Sequence, residues 1–192
     1  MAIFRNKLFV VERKNVVEID LESGQISNRY AVPQPMFLND IAIDKSGSLY
    51  VSDSSKSAIY KLTGEKCEVW LQGEEIQNPN GLRIFQGQLI IGNNGDRSLK
   101  TVDLETKEVK TLATLGPGII DGICIDQDGN YLVSHYQGRV FRITPAGQIT
   151  KLLDTTGPGL RCADFEYITA RNLFIIPGLE GNQIIAYQSG GH

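Results

Sequence analysis

The sequence predicts an all-β protein, a β-propeller with about five blades present, and two observations carry that prediction. The first is internal repetition: Asn39, Asn80 and Asp121 follow one another at intervals of 41 residues, and Asp164 comes 43 residues later. The second is the absence of any long stretch with the 3.6-residue apolar period of a helix. Repeats of about 40 to 45 residues made of short strands are typical of four-stranded propeller blades.

Apolar alternation and regularly placed turns predict the strands inside each repeat. In the second repeat, Ile41 and Ile43 alternate with Ala42 and Asp44, as in a half-buried strand. Turn residues containing glycine interrupt the apolar runs at 45–47, 127–129 and 145–147. A β-sandwich of short strands is the rival interpretation, but three aligned copies with the same turn offsets favour the propeller.

The repeats indicate a single propeller domain over residues 1–192. They divide it into a partial blade at 1–36 and blades at about 37–77, 78–118, 119–161 and 162–192. Counting back 41 residues from Asn39 falls before Met1, so we expect the first repeat to lack its innermost strand and the domain to be incomplete at its N-terminus. Since a propeller needs a closed ring, three interpretations stay open: an unusual five-bladed closure, a truncated larger ring, and closure by self-association.

Composition narrows the function classes. Apolar residues make up 41% and charged residues 21%, as in a globular protein, and the net charge of −3 argues against nucleic acid as a partner. No apolar run approaches the roughly 18 residues of a membrane span. The first residues, MAIFRNKLFVVERKN, have neither the apolar region nor the small-residue cleavage site of a signal peptide, so we expect none in them. The compartment therefore stays unknown: cytoplasmic as the chain stands, secreted if an N-terminal segment is missing. Three scattered cysteines and two histidines make a cysteine zinc site or a multi-histidine metal centre a poor prediction.

One repeat position places four polar side chains at a common radius. Asn39, Asn80, Asp121 and Asp164 each stand at the start of a predicted innermost strand, so we expect them to converge near the mouth of the central channel. Amide and carboxylate oxygens are ligands for Ca²⁺, Mg²⁺ or Mn²⁺. Asn and Asp before glycine also form turns by bonding to nearby backbone. The repeat position alone favours neither metal ligands nor turn formers.

Four motifs carry a family resemblance. They are FLNDIAID around Asn39, NPNGL around Asn80, DGICIDQDGNYLVSHYQGRVFRITPAG from Asp121 to Gly147, and LFIIP at Leu173–Pro177. Together they resemble the SMP-30/gluconolactonase/luciferin-regenerating-enzyme-like (LRE-like) group of six-bladed propellers, and NHL-type propellers share the looser parts of the pattern. The resemblance covers most of the chain, and it implies a six-bladed ring that lacks its N-terminal blade here.

The resemblance implies one divalent cation in the channel, with Ca²⁺ first and Mg²⁺, Mn²⁺ or Zn²⁺ as alternatives. Asn80 and Asp121 match two of the family's metal ligands, and Asn39 matches a channel Asn near the substrate. The family's third ligand, a Glu of the first blade, has no match in this chain. Phe37 stands where sugar-lactone hydrolases of the group carry a substrate-contacting Arg, which leaves room for a more apolar ligand.

The function expected from this resemblance is metal-dependent hydrolysis of a lactone or related ester, with a small molecule as the partner. Asp121 is the expected catalytic residue, since it would hold the cation and orient or deprotonate a water. Asn39, Phe37 and His135 are the candidate substrate-binding residues, and His135 is expected beside the channel. Asp164 is expected to contact the metal ligands without binding the metal itself. The alternative is a non-catalytic propeller that binds a small molecule or a protein across the channel mouth.

Overall fold

Five antiparallel sheets follow one another along the chain in the computed structural model, which describes residues 1–178 and 182–188. The first sheet contains β1 (Ala2–Phe4), β2 (Lys7–Val11), β3 (Asn15–Asp20) and β4 (Ile26–Ala31). The second contains β5 (Leu38–Ile43), β6 (Leu49–Asp53), β7 (Ala58–Thr63) and β8 (Lys66–Gln72). The third contains β9 (Pro79–Phe85), β10 (Gln88–Asn93), β11 (Ser98–Asp103) and β12 (Val109–Thr114).

The last two sheets complete the described chain. The fourth contains β13 (Ile120–Ile125), β14 (Tyr131–His135), β15 (Arg139–Ile143) and β16 (Ile149–Asp154). The fifth contains β17 (Glu166–Ile168), β18 (Leu173–Pro177) and β19 (Ile184–Gln188). Helix is limited, within the described ranges, to one 3₁₀ turn at Thr169–Arg171, and no described helix is long and apolar enough to cross a membrane. The predicted all-β propeller with five blades is confirmed.

Each sheet is a meander in which consecutive strands pair, and its first strand lies innermost. Strands β1, β5, β9 and β13 contact one another in that order, and β13 contacts β17. Residues from these five strands line one common cavity. The innermost strands therefore surround the axis of the propeller, as the repeat spacing predicted.

The structure differs from the sequence-based expectation at the first sheet. The innermost strand that was expected to be missing is present as Ala2–Phe4, which pairs with Lys7–Phe9 of the next strand. Counting from Asn39 missed it because Asn39 lies at the beginning of an innermost strand, whereas Ala2–Phe4 corresponds to the end of one. At the other terminus, 179–181 and 189–192, which the last predicted blade includes, lie outside the described residues.

Four apolar clusters between neighbouring sheets form the core. Between the second and third sheets, Tyr50 and Trp70 meet edge to face at 4.9 Å and pack with Leu82 and Ile91. The Lys107 ammonium donates a hydrogen bond of 2.9 Å to the Trp70 carbonyl oxygen and lies 5.7 Å from the centre of its ring. Burial of side chains of this size contributes about 1.5 to 3 kcal/mol each. Packing between sheets therefore holds the innermost strands in place around the axis.

Three innermost strands carry the same irregularity. In β5 the pairing passes from Leu38 opposite Asp53 to Ile41 opposite Val51, so two residues face one. The shifts in β9 and β13 fall at the equivalent place. Such a β-bulge bends the strand and redirects its side chains. The bulge residues are Asn39–Asp40, Asn80–Gly81 and Asp121–Gly122.

Candidate functional site

A buried serine opposite the first bulge joins two blades. The Ser52 hydroxyl accepts a hydrogen bond from the Asp40 N–H at 3.0 Å and donates one of 2.8 Å to the Asn80 carbonyl oxygen. Ser52 is fully buried, so both bonds are shielded from water. This serine fixes the position of Asn80 relative to the neighbouring innermost strand.

The same arrangement recurs opposite the third bulge. The Ser134 hydroxyl accepts a hydrogen bond from the Gly122 N–H at 2.8 Å and donates one of 2.6 Å to the Ala163 carbonyl oxygen. Gly122 follows Asp121 and Ala163 precedes Asp164 in the chain. Ser134 therefore ties together the two backbone segments that carry these carboxylates.

The glycines at the bulges permit the innermost strands to approach closely. A Cβ on Gly81 would overlap the main-chain carbonyl oxygen of Asp121, and a Cβ on Gly122 would lie 2.6 Å from Oδ1 of Asp164. Glycine lacks that atom, so backbone and side chains of adjacent blades meet directly. The close approach of adjacent blades therefore requires glycine directly after Asn80 and directly after Asp121.

Three carboxyl groups share the electrostatic environment of the channel. The pKa of Asp40 is raised to about 6, chiefly by desolvation; the charge of Asp164 also raises it, and the nearby Met1 amine lowers it. Desolvation likewise raises the pKa of Asp121 to about 6, with contributions from the charges of Asp164 and Asp40. The pKa of Asp164 is also raised by desolvation. The site therefore disfavours three negative charges and would be stabilised by a cation.

Asp40 is held by backbone on one side and open to the channel on the other. Its Oδ2 accepts a hydrogen bond of 2.8 Å from the Leu82 N–H of the next blade, and its Oδ1 lies 3.6 Å from the Met1 amine. The side chain is 19% exposed. The sequence-based prediction missed this residue because it followed the first bulge position, whereas Asp40 occupies the second, where the other two bulges have Gly81 and Gly122.

Asn80 presents an acceptor that no group satisfies. The residue is 7% exposed, and its Oδ1 has no hydrogen-bond partner among the described residues. Its side chain hydrogen-bonds to Asp121, which lowers the pKa of that carboxyl against the effect of desolvation. Buried polar atoms are rarely left unpaired, so an orphaned oxygen beside a carboxylate is what a bound cation would explain.

The structure brings most of the predicted residues to one end of the channel. Asp164 lies close to Gly122 and acts on the pKa of Asp121, so these two carboxylates are neighbours, as expected. Asn39 donates a hydrogen bond of 3.3 Å from Nδ2 to the Ser54 hydroxyl and is partly exposed. In the part of the chain that the structure describes, no group of three or more His, Cys, Asp or Glu side chains is placed to hold a metal ion.

His135 lies apart from this group. It is fully buried, and its ring packs edge-on against Phe141 at 4.9 Å, directly beneath Gly118. Burial lowers its pKa to about 4, and neither ring nitrogen has a hydrogen-bond partner in the described ranges. Asp53 and Asn93, at the equivalent position of their sheets, accept hydrogen bonds from the backbone of the preceding loop. The structure therefore places His135 beneath a loop and not where a substrate in the channel would meet it.

A cavity of about 550 Å³ lies along the axis. The polar side chains in its wall are those of Asp40, Arg83, Cys124, Asp164 and Glu166. Asn80 and Asp121 are not part of the wall. Asp121 is nevertheless close enough to Asp164 and Asp40 for their charges to raise its pKa. The polar cluster therefore adjoins a space large enough for a small molecule.

Comparison with known proteins agrees with this architecture. The family model described as "SMP-30/Gluconolactonase/LRE-like region" matches residues 2–176. A search of the curated proteins finds no match. A gluconolactonase from Xanthomonas campestris is similar in structure, with a TM-score of 0.72 and 20% identity, over 90% of this chain and 65% of that one.

Two further solved structures have the same fold. Virginiamycin B lyase from Staphylococcus aureus has a TM-score of 0.68 and 16% identity, over 92% of this chain and 63% of the lyase chain. A chain of a nidogen/laminin complex has a TM-score of 0.76 and 16% identity, over 91% of this chain and 68% of its own. This chain thus spans about two thirds of the length of the proteins it resembles. At such identities these likenesses show the fold alone.

Proposed function

Because the chain belongs to the SMP-30/gluconolactonase/LRE-like family, we propose that it hydrolyses a lactone or related ester with the help of a divalent cation. The observation that carries the proposal is the buried, unpartnered Oδ1 of Asn80 next to the carboxyl group of Asp121. A gluconolactonase among the similar structures agrees with this reaction class.

The oxygens at this point fit a cation such as Ca²⁺. The Asn80 side-chain oxygen and the Asp121 carboxylate would hold it, since both are hard ligands. The negative charge of Asp164, which raises the pKa of Asp121, would favour a cation at the same place. When bound, the ion polarises the substrate carbonyl and stabilises negative charge on its oxygen.

Asp121 supplies the proton chemistry in this proposal. Its pKa of about 6 leaves the carboxyl ionised at neutral pH but more basic than an ordinary aspartate, as suits a general base. Water attacks the carbonyl carbon, Asp121 takes the proton of that water, and the proton passes to the leaving alkoxide as the ester bond breaks. The product is a hydroxy acid. The Asn39 amide, a neutral donor at the same end of the channel, would orient the substrate by a hydrogen bond.

A non-catalytic propeller that binds a small molecule or a protein across the channel mouth is the second candidate. The observation that favours it is that the described residues contain no group of three or more His, Cys, Asp or Glu side chains placed to hold a metal ion. One of the similar structures comes from a complex of nidogen with laminin, which illustrates the same fold in a protein assembly.

A lactone and ester assay separates the two candidates. We expect the protein to hydrolyse at least one member of a panel in Ca²⁺ and to lose activity in a chelator. Asp121→Asn should reduce kcat/KM by about 100-fold or more, since positioned general bases contribute about that factor. Asp128→Asn, at an exposed turn of the same sheet, is the matched control and should keep the activity. Activity that survives both the chelator and Asp121→Asn contradicts the proposed site, and no activity on the panel favours the binding protein.

A further inference from the structure

We propose that the axial cavity is a binding site for a small zwitterion, with the carboxylate of the ligand on Arg83 and its ammonium on Glu166 and Asp164. This site goes beyond the proposed function, because the cavity wall includes neither Asn80 nor Asp121. The ligand class is an amino acid whose two charged groups are joined by a short aliphatic chain.

Arg83 and Glu166 occupy equivalent positions on the innermost strands of the third and fifth sheets. Arg83 comes three residues after Asn80, and Glu166 comes three residues after Ala163. The carbonyl oxygens of Asn80 and Ala163 are equivalent, since each accepts the hydrogen bond of a buried serine in the preceding sheet. Two opposite charges therefore lie at one level of the cavity wall, on strands that β13 separates.

The side chains at this level on the second and fourth sheets are small. Ala42 stands 41 residues before Arg83, and Cys124 stands 41 residues after it. Both are buried, whereas Arg83 and Glu166 are exposed although they lie on innermost strands. All four residues line the cavity, so its volume lies between the two charged side chains and a ligand inside it can reach both.

The two charges do not neutralise each other. Among the described residues, no carboxylate oxygen lies within 4 Å of the Arg83 guanidinium, so Arg83 and Glu166 form no ion pair. A side-chain oxygen of Glu166 accepts the Tyr167 N–H at 3.1 Å and lies 3.9 Å from the Cys124 thiol. Both charged groups are therefore available to a ligand.

Asp164 adds negative charge on the same side of the cavity as Glu166. Desolvation chiefly raises the pKa of Asp164; the charge of Glu166 raises it too, and the charges of the Met1 amine and Arg83 lower it. The other carboxylate of the wall, Asp40, already has the Met1 amine 3.6 Å away. The unpaired negative charge thus lies on the fifth sheet and the unpaired positive charge on the third.

A molecule with one charge of each sign complements this arrangement. The guanidinium fork of Arg83 donates two parallel hydrogen bonds to a carboxylate, and an ammonium donates to the carboxylates of Asp164 and Glu166. A purely anionic ligand would be repelled by those two carboxylates, and a purely cationic one would leave Arg83 unpaired. Leu82 and Phe165 also line the cavity and offer apolar surface to the chain between the charges.

Calorimetry with matched probes tests the inference, in a chelator so that no metal takes part. The zwitterions are γ-aminobutyrate and ε-aminocaproate. Butyrate and caproate lack the ammonium, and butylamine and hexylamine lack the carboxylate. At least one zwitterion should bind, about tenfold or more tightly than either singly charged probe of its length, since hydrogen bonds between charged groups contribute about that factor each.

Two substitutions assign the ends of the ligand. Arg83→Gln should weaken binding of the zwitterion to the level of the amine and leave the Kd of the amine unchanged, which also shows that the variant is folded. Glu166→Gln should weaken the zwitterion and the amine by a similar factor and should not weaken the carboxylate. The controls are Arg171→Gln and Glu105→Gln, because both residues are exposed and lie outside the cavity wall. Both should keep the wild-type Kd.

Three results would overturn the inference. The first is that the wild type binds neither zwitterion. The second is that a singly charged probe binds as tightly as the zwitterion of its length, since the site then recognises one charge alone. The third is an unchanged zwitterion Kd in Arg83→Gln or in Glu166→Gln. None of these measurements requires hydrolysis or a bound metal, so the zwitterion site and the proposed function can fail separately.

Discussion

Replacing Gly81 with alanine should lower the free energy of unfolding by about 3 kcal/mol or more, which places it among the most damaging single substitutions. The added Cβ would overlap the main-chain carbonyl oxygen of Asp121 and lie 2.9 Å from the carbon of that carbonyl. These are backbone atoms of the adjacent blade, so no rotation of a side chain can relieve the overlap. The two innermost strands would have to separate, at the cost of their packing.

Gly73→Ala is the control for this substitution. A Cβ on Gly73 would meet no atom within 4 Å. Denaturant unfolding should therefore show a change within about 0.5 kcal/mol for Gly73→Ala. Similar losses in the two variants, or a small loss in Gly81→Ala, would contradict the close approach of the third and fourth blades on which the geometry of Asn80 and Asp121 depends.

Asp121→Asn should stabilise the metal-free protein at neutral pH by about 2 kcal/mol. The folded-state pKa of Asp121, about 6, lies above its ordinary value of 3.8, so the folded protein binds this proton more tightly than the unfolded chain does. That stability is fully present below about pH 3.8 and is lost as the pH rises through 6. A shift of about two pKa units corresponds to about 3 kcal/mol, and partial exposure to water reduces it. An uncharged amide at this position does not ionise, so the variant does not lose this stability as the pH rises.

The measurement is denaturant unfolding in a chelator across pH 4 to 7. The difference between Asp121→Asn and the wild type should be small near pH 4, grow between about pH 4 and pH 6, and level off above. The difference is the quantity to follow, because burial lowers the pKa of His135 to about 4 and gives the total stability an opposing slope. Asp128→Asn should show no such growth. If the difference in free energy of unfolding between Asp121→Asn and the wild type did not change with pH, the pKa of Asp121 would not be raised in the folded protein.

Repeat spacing predicted where the channel residues lie but not how the backbone presents them. The 41-residue interval correctly indicated that Asn80 and Asp121 start neighbouring innermost strands, since a propeller turns sequence period into rotation about an axis. The bulges are not visible in that period, because one extra residue per strand changes neither the interval nor the apolar pattern. Asp40, which the bulge brings into the cavity wall, was missed for that reason.

His135 illustrates a second limit of the sequence. Its position at the end of a strand suggested a residue beside the channel, but the direction of its side chain depends on the loop above it. Gly118 leaves room for the ring, and the ring lies against Gly118 and Phe141. Ser52 and Ser134 were likewise missed, because the inter-blade hydrogen bonds of a serine depend on the distance between strands, which a single sequence does not state.

The central claim is that Asn80 and Asp121 hold a divalent cation, and thermal unfolding tests it most directly. The wild type, Asp121→Asn and Asp128→Asn would be unfolded in a chelator and then with Ca²⁺, Mg²⁺, Mn²⁺ or Zn²⁺ in excess. An ion at a hundredfold excess over its Kd should stabilise the wild type and Asp128→Asn by about 2.7 kcal/mol, a rise in Tm of a few degrees. Asp121→Asn should show no such rise. The absence of a rise with every metal, or the same rise in Asp121→Asn, would contradict the site.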